Sequence, residues 1–127
     1  MKFFFSIIMF STLLSSCTLD IAFLNSEPSE INDETIIESG YVNYRGIMVN
    51  DSDMMTTIPL RVDPSNTYEV TRSSYISYYN DFSFIETELF TGGEFPKVVD
   101  IPEETTHIRV SFNIGNKEAI EFREVEE

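Results

Sequence analysis

The chain predicts an all-β fold, a small antiparallel β-sandwich of the jelly-roll kind, and three observations carry that reading. From Tyr41 onward the sequence breaks into short runs rich in Val, Ile, Tyr, Phe and Thr, each bounded by turn residues. No stretch of that region sustains the apolar period of an amphipathic helix. Residues 107–114 alternate cleanly, with Ile108, Val110, Phe112 and Ile114 on one face and His107, Arg109, Ser111 and Asn113 on the other. That is the pattern of a strand with one buried and one wet face.

The first residues are of another kind. Met1 and Lys2 precede a run from Phe3 to Leu14 interrupted only by Ser6, Ser11 and Thr12. A positive charge before an apolar run is the layout of an export signal. The run closes on the only cysteine of the chain, in Leu14-Ser15-Ser16-Cys17. This resembles the lipobox of bacterial lipoproteins, a leucine and two small residues before a cysteine. The resemblance implies a thioether from Cys17 to a diacylglycerol, cleavage before it, and acylation of the new amino terminus. Cysteine suits that chemistry because its thiolate is the nucleophile. Several acyl chains on one residue supply the two hydrophobic signals that stable anchoring needs, at about 0.8 kcal/mol per buried CH₂. Thr18 stands where Gram-negative families place the aspartate that retains lipoproteins at the inner membrane. The expected location is therefore the cell envelope, at the outer membrane if the host is Gram-negative. Two other readings of the segment are a transmembrane helix over residues 3–24, interrupted by Asp20 at high cost, and a secretory signal with an incidental cysteine, which would be an odd free thiol in an oxidising compartment.

Residues 1–16 are thus read as signal, residues 17–40 as the lipidated cysteine and an acidic tether, and residues 41–127 as the β-sandwich domain. Cleavage would leave 111 residues, enough for one core. Loss of Lys2 takes the formal net charge from −14 to −15. A chain so acidic repels phosphate polymers and anionic lipid surfaces, which excludes nucleic acid as a partner. Between Thr18 and Gly40 six carboxylates mix with Ser, Pro and Asn around short apolar islands. Such a composition buries too little to order itself, and a charged linker stays extended.

Within the domain, residues 118–123 form the strand after 107–114, and the "GNK" between them predicts a hairpin turn. The other expected strands are residues 41–49, with an irregularity at Gly46, then 58–62, 67–71, 75–80, 82–90 and 97–101. Eight short strands at this spacing suggest the sandwich or jelly roll.

Three stretches between residues 58 and 112 resemble a known module. They are "IPLRVDPSNTYEV", "YISYYND" followed by "SFIETELF", and "VVDIPEETTHIRVSF". The pattern is similar to one in phage tail and baseplate proteins and other bacterial surface proteins, where it forms a small jelly roll often likened to carbohydrate-binding modules. Here "YYN" stands where that pattern has a "YD"-like ending, and the chain has no tryptophan. Each stretch also has a local physical reading. Pro64 presets a turn that Asp63, Ser65 and Asn66 close with side-chain hydrogen bonds, and Pro102 ends one strand before Thr105-Thr106 begins another.

The sequence does not suggest an enzyme. Nucleophilic hydrolysis needs a base and an orienting group, yet the chain has one histidine, His107, and no G-x-S-x-G elbow. His107 reads as a surface imidazole at a strand start. No cofactor is expected, with one qualification at the loop "VNDSDMM", residues 49–55. Asn50, Asp51, Ser52 and Asp53 offer hard oxygen donors, a partial calcium signature without the EF-hand glycine and distal glutamate. The loop is either a solvated turn or a structural calcium site held by Asn50, Asp51 and Asp53.

Alternation along residues 75–80 puts Ile76 and Tyr78 on one face and Tyr75, Ser77 and Tyr79 on the other. With the first face in the core, Tyr75 and Tyr79 are expected at the surface, beside Arg109 as a polar clamp. Exposed tyrosines stack on a sugar ring or a partner protein, and they also pair across strands without binding anything. The object expected is a lipid-anchored envelope protein with a non-catalytic domain that binds a carbohydrate or glycan. The alternatives are a protein-interaction lipoprotein, such as a phage-encoded or accessory surface factor pairing with an envelope protein, and a purely structural surface lipoprotein. An open edge strand or broad apolar patch would favour the protein partner.

Overall fold

The computed structural model describes residues 28–125. The expected signal, Cys17 and its lipidation lie outside the described residues. Eleven strands occur among those described: β1 (Ile36–Ser39), β2 (Tyr41–Val42), β3 (Met48–Val49), β4 (Met54–Thr57), β5 (Leu60–Arg61), β6 (Tyr68–Val70), β7 (Ser74–Asn80), β8 (Ser83–Phe90), β9 (Lys97–Val99), β10 (His107–Asn113) and β11 (Phe122–Glu124). All their pairings are antiparallel. A six-stranded sheet runs β1-β4-β10-β7-β8, with β5 also on β10, and a three-stranded sheet runs β11-β6-β9. The all-β sandwich read from the sequence is the observed architecture.

β4 and β5 share one side of β10 because Pro59, which has no N–H to give the ladder, separates them. At that break the Val110 N–H donates to Thr57 Oγ1 at 3.1 Å, so a side chain completes the ladder. The core lies between the two sheets. Leu60, Ile76, Tyr78, Ile108, Val110 and Phe112 come from the large sheet, and Tyr68, Val70, Val99 and Phe122 from the small one. Each fully buried aliphatic or aromatic side chain contributes roughly 1.5–3 kcal/mol. Across this core Tyr68 stacks on Phe122 with ring centroids 5.0 Å apart.

The other face of the large sheet is covered by the two-stranded hairpin β2-β3. The expected strand over residues 41–49 is therefore two strands, turned through Gly46 at φ +78°. A Cβ on Gly46 would sit 2.6 Å from the Phe84 ring, so only glycine lets the turn lie against β8.

Two further expectations are corrected. "GNK" makes no hairpin: Ile114–Asn116 form a 3₁₀ turn, capped where Asn113 Oδ1 accepts from the Gly115 N–H at 2.8 Å. The chain then crosses to the small sheet, where β11 pairs with β6. Residues 28–40 are not a free tether. β1 pairs with β4, and Ile31 and Ile36 pack against the core. The Pro28 carbonyl accepts from the Arg61 N–H at 2.9 Å. Glu30, Asp33 and Glu34 face solvent, so the carboxylates that dilute this stretch in sequence do not oppose the docking of its isoleucines.

Candidate functional site

Alternation along β7 is as expected: Ile76 and Tyr78 enter the core, and Tyr75, Ser77 and Tyr79 take the opposite face beside His107, Arg109 and Ser111 of β10. That opposite face is not wet. Ser77, Ser111 and Thr56 are fully buried there. The Val42 N–H of the covering hairpin donates to Ser111 Oγ at 3.1 Å, and Thr56 Oγ1 donates to the Gly40 carbonyl at 2.7 Å.

Tyr75 is half-buried rather than exposed. Tyr41 stacks on it and Tyr44 meets it edge-on with centroids 5.9 Å apart. Burial, and then the neighbouring Tyr44 and Tyr41, push the Tyr75 phenol above its ordinary pKa. Tyr79, also half-buried, packs edge-on to Phe84 at 5.8 Å. Burial raises its pKa, while the nearby Arg109 guanidinium pulls the other way. Arg109 is no free clamp: its side chain is 18% exposed, pairs with Glu38 and donates from Nε to the Thr57 carbonyl at 2.8 Å. The fold thus brings Tyr79 and Arg109 together and leaves Tyr75 in a separate aromatic group with Tyr41 and Tyr44. Of that group Tyr44 offers most surface, at 60% exposure. The sequence signal for it was present in the two tyrosines of "YVNYRG", but only the hairpin turn shows that they close over β7.

In the loop before β4, Asp51 Oδ1 accepts from the Asp53 N–H at 2.8 Å, and the Asp53 carbonyl accepts from the Ile114 N–H at 2.8 Å. This is turn chemistry. Among the described residues no three His, Cys, Asp or Glu side chains gather as a metal site. Asn50 is exposed at the start of this turn. His107 is partly buried, with Nδ1 2.8 Å from Thr106 Oγ1.

A shallow depression of about 490 Å³ lies between the Asp63–Ser65 turn and Ile101 and Glu103. Asp63 Oδ1 accepts from the Ser65 N–H at 3.0 Å and from its hydroxyl at 2.7 Å, which holds the Asp63 pKa below the usual carboxylate value. That carboxylate is committed to its own turn.

The surface that sequence reasoning missed is the side of β8, the last strand of the large sheet, that pairs with no other strand among the described residues. Asp81, at φ +54°, and Phe82 turn the chain into it, and Phe82 is 96% exposed. Ile85 and Leu89 are also exposed along the strand. The register Ile76↔Glu88 and Tyr78↔Glu86 places two exposed glutamates on the core side of this edge, where Tyr78 Oη donates to Glu88 Oε1 at 2.8 Å. Between Tyr78 and Tyr79 the register slips, leaving Ile85 as the extra residue of a β-bulge.

No family model, no curated protein and no solved structure matches this chain.

Proposed function

We propose that the protein is a lipid-anchored envelope protein, held by acylated Cys17, whose sandwich recognises a partner protein without catalysis. The observation that carries this reading is the open edge of β8, a strand of eight residues flanked by exposed Phe82, Ile85 and Leu89. Unpaired backbone groups beside exposed apolar side chains are the means by which sheets take up partner chains. A glycan is the second reading. Tyr44 favours it, since its ring is the most exposed of the tyrosine group and lies beside Arg45.

The test uses the full chain in a bacterial envelope. Detergent-phase partitioning and labelled fatty-acid incorporation, both lost in Cys17→Ser, check the anchor. A photo-crosslinking phenylalanine analogue at position 89 is expected to trap a protein, and the same probe at position 121, just before β11 of the other sheet, is expected to trap none. A blank at 89 together with glycan-array binding abolished by Tyr44→Ala would replace the protein partner by a sugar.

A further inference from the structure

We propose that residues 86–90 of β8 take up an extended, basic segment of the partner as an added strand, a segment that alternates cationic and apolar side chains. This rests on the protein-partner reading above and names the chemistry of the partner.

Among the described residues β8 has a hydrogen-bonded neighbour on one side only, β7. Among the described residues no backbone group of residues 83–90 bonds to any other part of the chain. The bulge at Ile85 bends the first part of the strand away from regular pairing, so the regular segment begins at Glu86. Period two then sets what a partner meets: Glu86 and Glu88 on the core side of the sheet and Leu89 on the other, where Thr87 is buried against Ser77. Negative charge is concentrated there. Beyond its burial and its bond to Glu88, the Tyr78 phenol lies in the field of Glu88, Glu86 and Asp100, all of which oppose its ionisation. The chain as a whole carries −14, which steers a cationic partner inward.

The same charges choose against other occupants. A second copy of this chain pairing edge to edge would bring Glu86 and Glu88 near their own counterparts, and like charges across strands are destabilising. Inward-pointing charge on an edge is a way of forbidding self-association. Here it leaves the edge open to a strand of opposite sign.

The probe is a capped eight-residue peptide alternating lysine and valine, titrated into the full chain in detergent micelles. Saturable binding is expected, with amide hydrogen exchange slowed across residues 86–90. A glutamate–valine peptide is expected not to bind. The basic peptide N-methylated at every other amide keeps its charge but loses its ladder, and it should not bind. Glu86 is exposed and makes no hydrogen bond or ion pair among the described residues, so Glu86→Lys leaves the fold intact. It should weaken the basic peptide about tenfold, one attraction lost and one repulsion gained. Equal binding of the N-methylated peptide, protection outside β8, indifference to Glu86→Lys, or no binding at all would each overturn the proposal. Crosslinking at position 89 without peptide binding would overturn the basic strand alone; failure of both would remove the protein-partner reading with it.

Discussion

Tyr41 stacks on Tyr75 with ring centroids 5.2 Å apart and planes inclined by 17°. One ring belongs to the covering hairpin and the other to β7 of the large sheet, so the contact joins two layers that share no backbone ladder. It explains why a sheet face that reads as polar is buried. Ser77, Ser111 and Thr56 lie under the hairpin, satisfied by one another, by Thr87 and by the hairpin backbone.

Removing the stack should therefore loosen a layer and spare the core. Tyr41→Ala is expected to cost about 2 kcal/mol, combining about 1 kcal/mol for the aromatic pair with the area that the ring buries. Tyr41→Phe keeps the ring and should stay within about 0.5 kcal/mol of the parent. Urea unfolding gives both numbers, and amide exchange should rise over residues 41–49 in the alanine variant alone. Equal effects of the two substitutions would refute the role given to the stack.

Ser111 offers a sharper case of the same layer. Its Oγ accepts the Val42 N–H and lies 2.9 Å from Thr56 Oγ1, with every partner buried. Ser111→Ala leaves a buried N–H without an acceptor, and the expected loss is about 1–3 kcal/mol. Thr56 is coupled through the shared contact, so a double-mutant cycle with Thr56→Val should give a non-zero interaction energy of at least about 0.5 kcal/mol. Strict additivity would show that the two hydroxyls act independently.

These residues also mark the limit of what the sequence discloses. Period-two alternation placed β7 and β10 and assigned the core faces of Ile76, Tyr78, Ile108, Val110 and Phe112, because burial of one face writes itself into every second residue; it overran at Ile114, which lies exposed in the 3₁₀ turn. It was silent about the second face. Serine and threonine look alike whether they meet water or a covering hairpin, and the hairpin is made of two strands of two residues each, too short to alternate. β1 and β4 were missed for related reasons. Ile36 follows Glu30, Asp33 and Glu34, carboxylates that face solvent, and Met54–Thr57 follows an Asn-Asp-Ser-Asp stretch that read as a solvated turn or a calcium loop rather than as the lead into a strand. The open edge of β8 depends on sheet order, which no local pattern encodes.

The position of β1 has a direct consequence for the domain boundary. A chain begun at Tyr41 lacks the β1–β4 ladder and the packing of Ile31 and Ile36 on the core. Compared with a chain begun at Pro28, it should lose about 3 kcal/mol or more, each partly buried isoleucine accounting for about 1 kcal/mol and the ladder for the rest. Thermal melts of the two fragments measure the difference. Coincident melting curves would restore Gly40 as the end of a free tether.

Stability at high pH should reveal the core tyrosine. Burial first, then the bond from Tyr78 Oη to Glu88, then the charges of Glu88, Glu86 and Asp100 push the phenol far above its ordinary pKa. In the unfolded chain a tyrosine releases its proton near pH 10. Above that pH the native state binds the proton that the unfolded state has lost, so the slope of unfolding free energy against pH is negative. The stability linked to Tyr78 is full below about pH 10 and falls by up to about 1.4 kcal/mol per pH unit above it. Tyr75 and Tyr79, whose pKa values burial also raises, add to the slope of the parent. Tyr78→Phe carries no proton to lose, so its stability should decline less steeply from pH 10 to 12 by up to that one-proton slope. Denaturant unfolding across this range decides the matter: parallel declines in parent and variant would mean that Tyr78 ionises as freely in the fold as outside it.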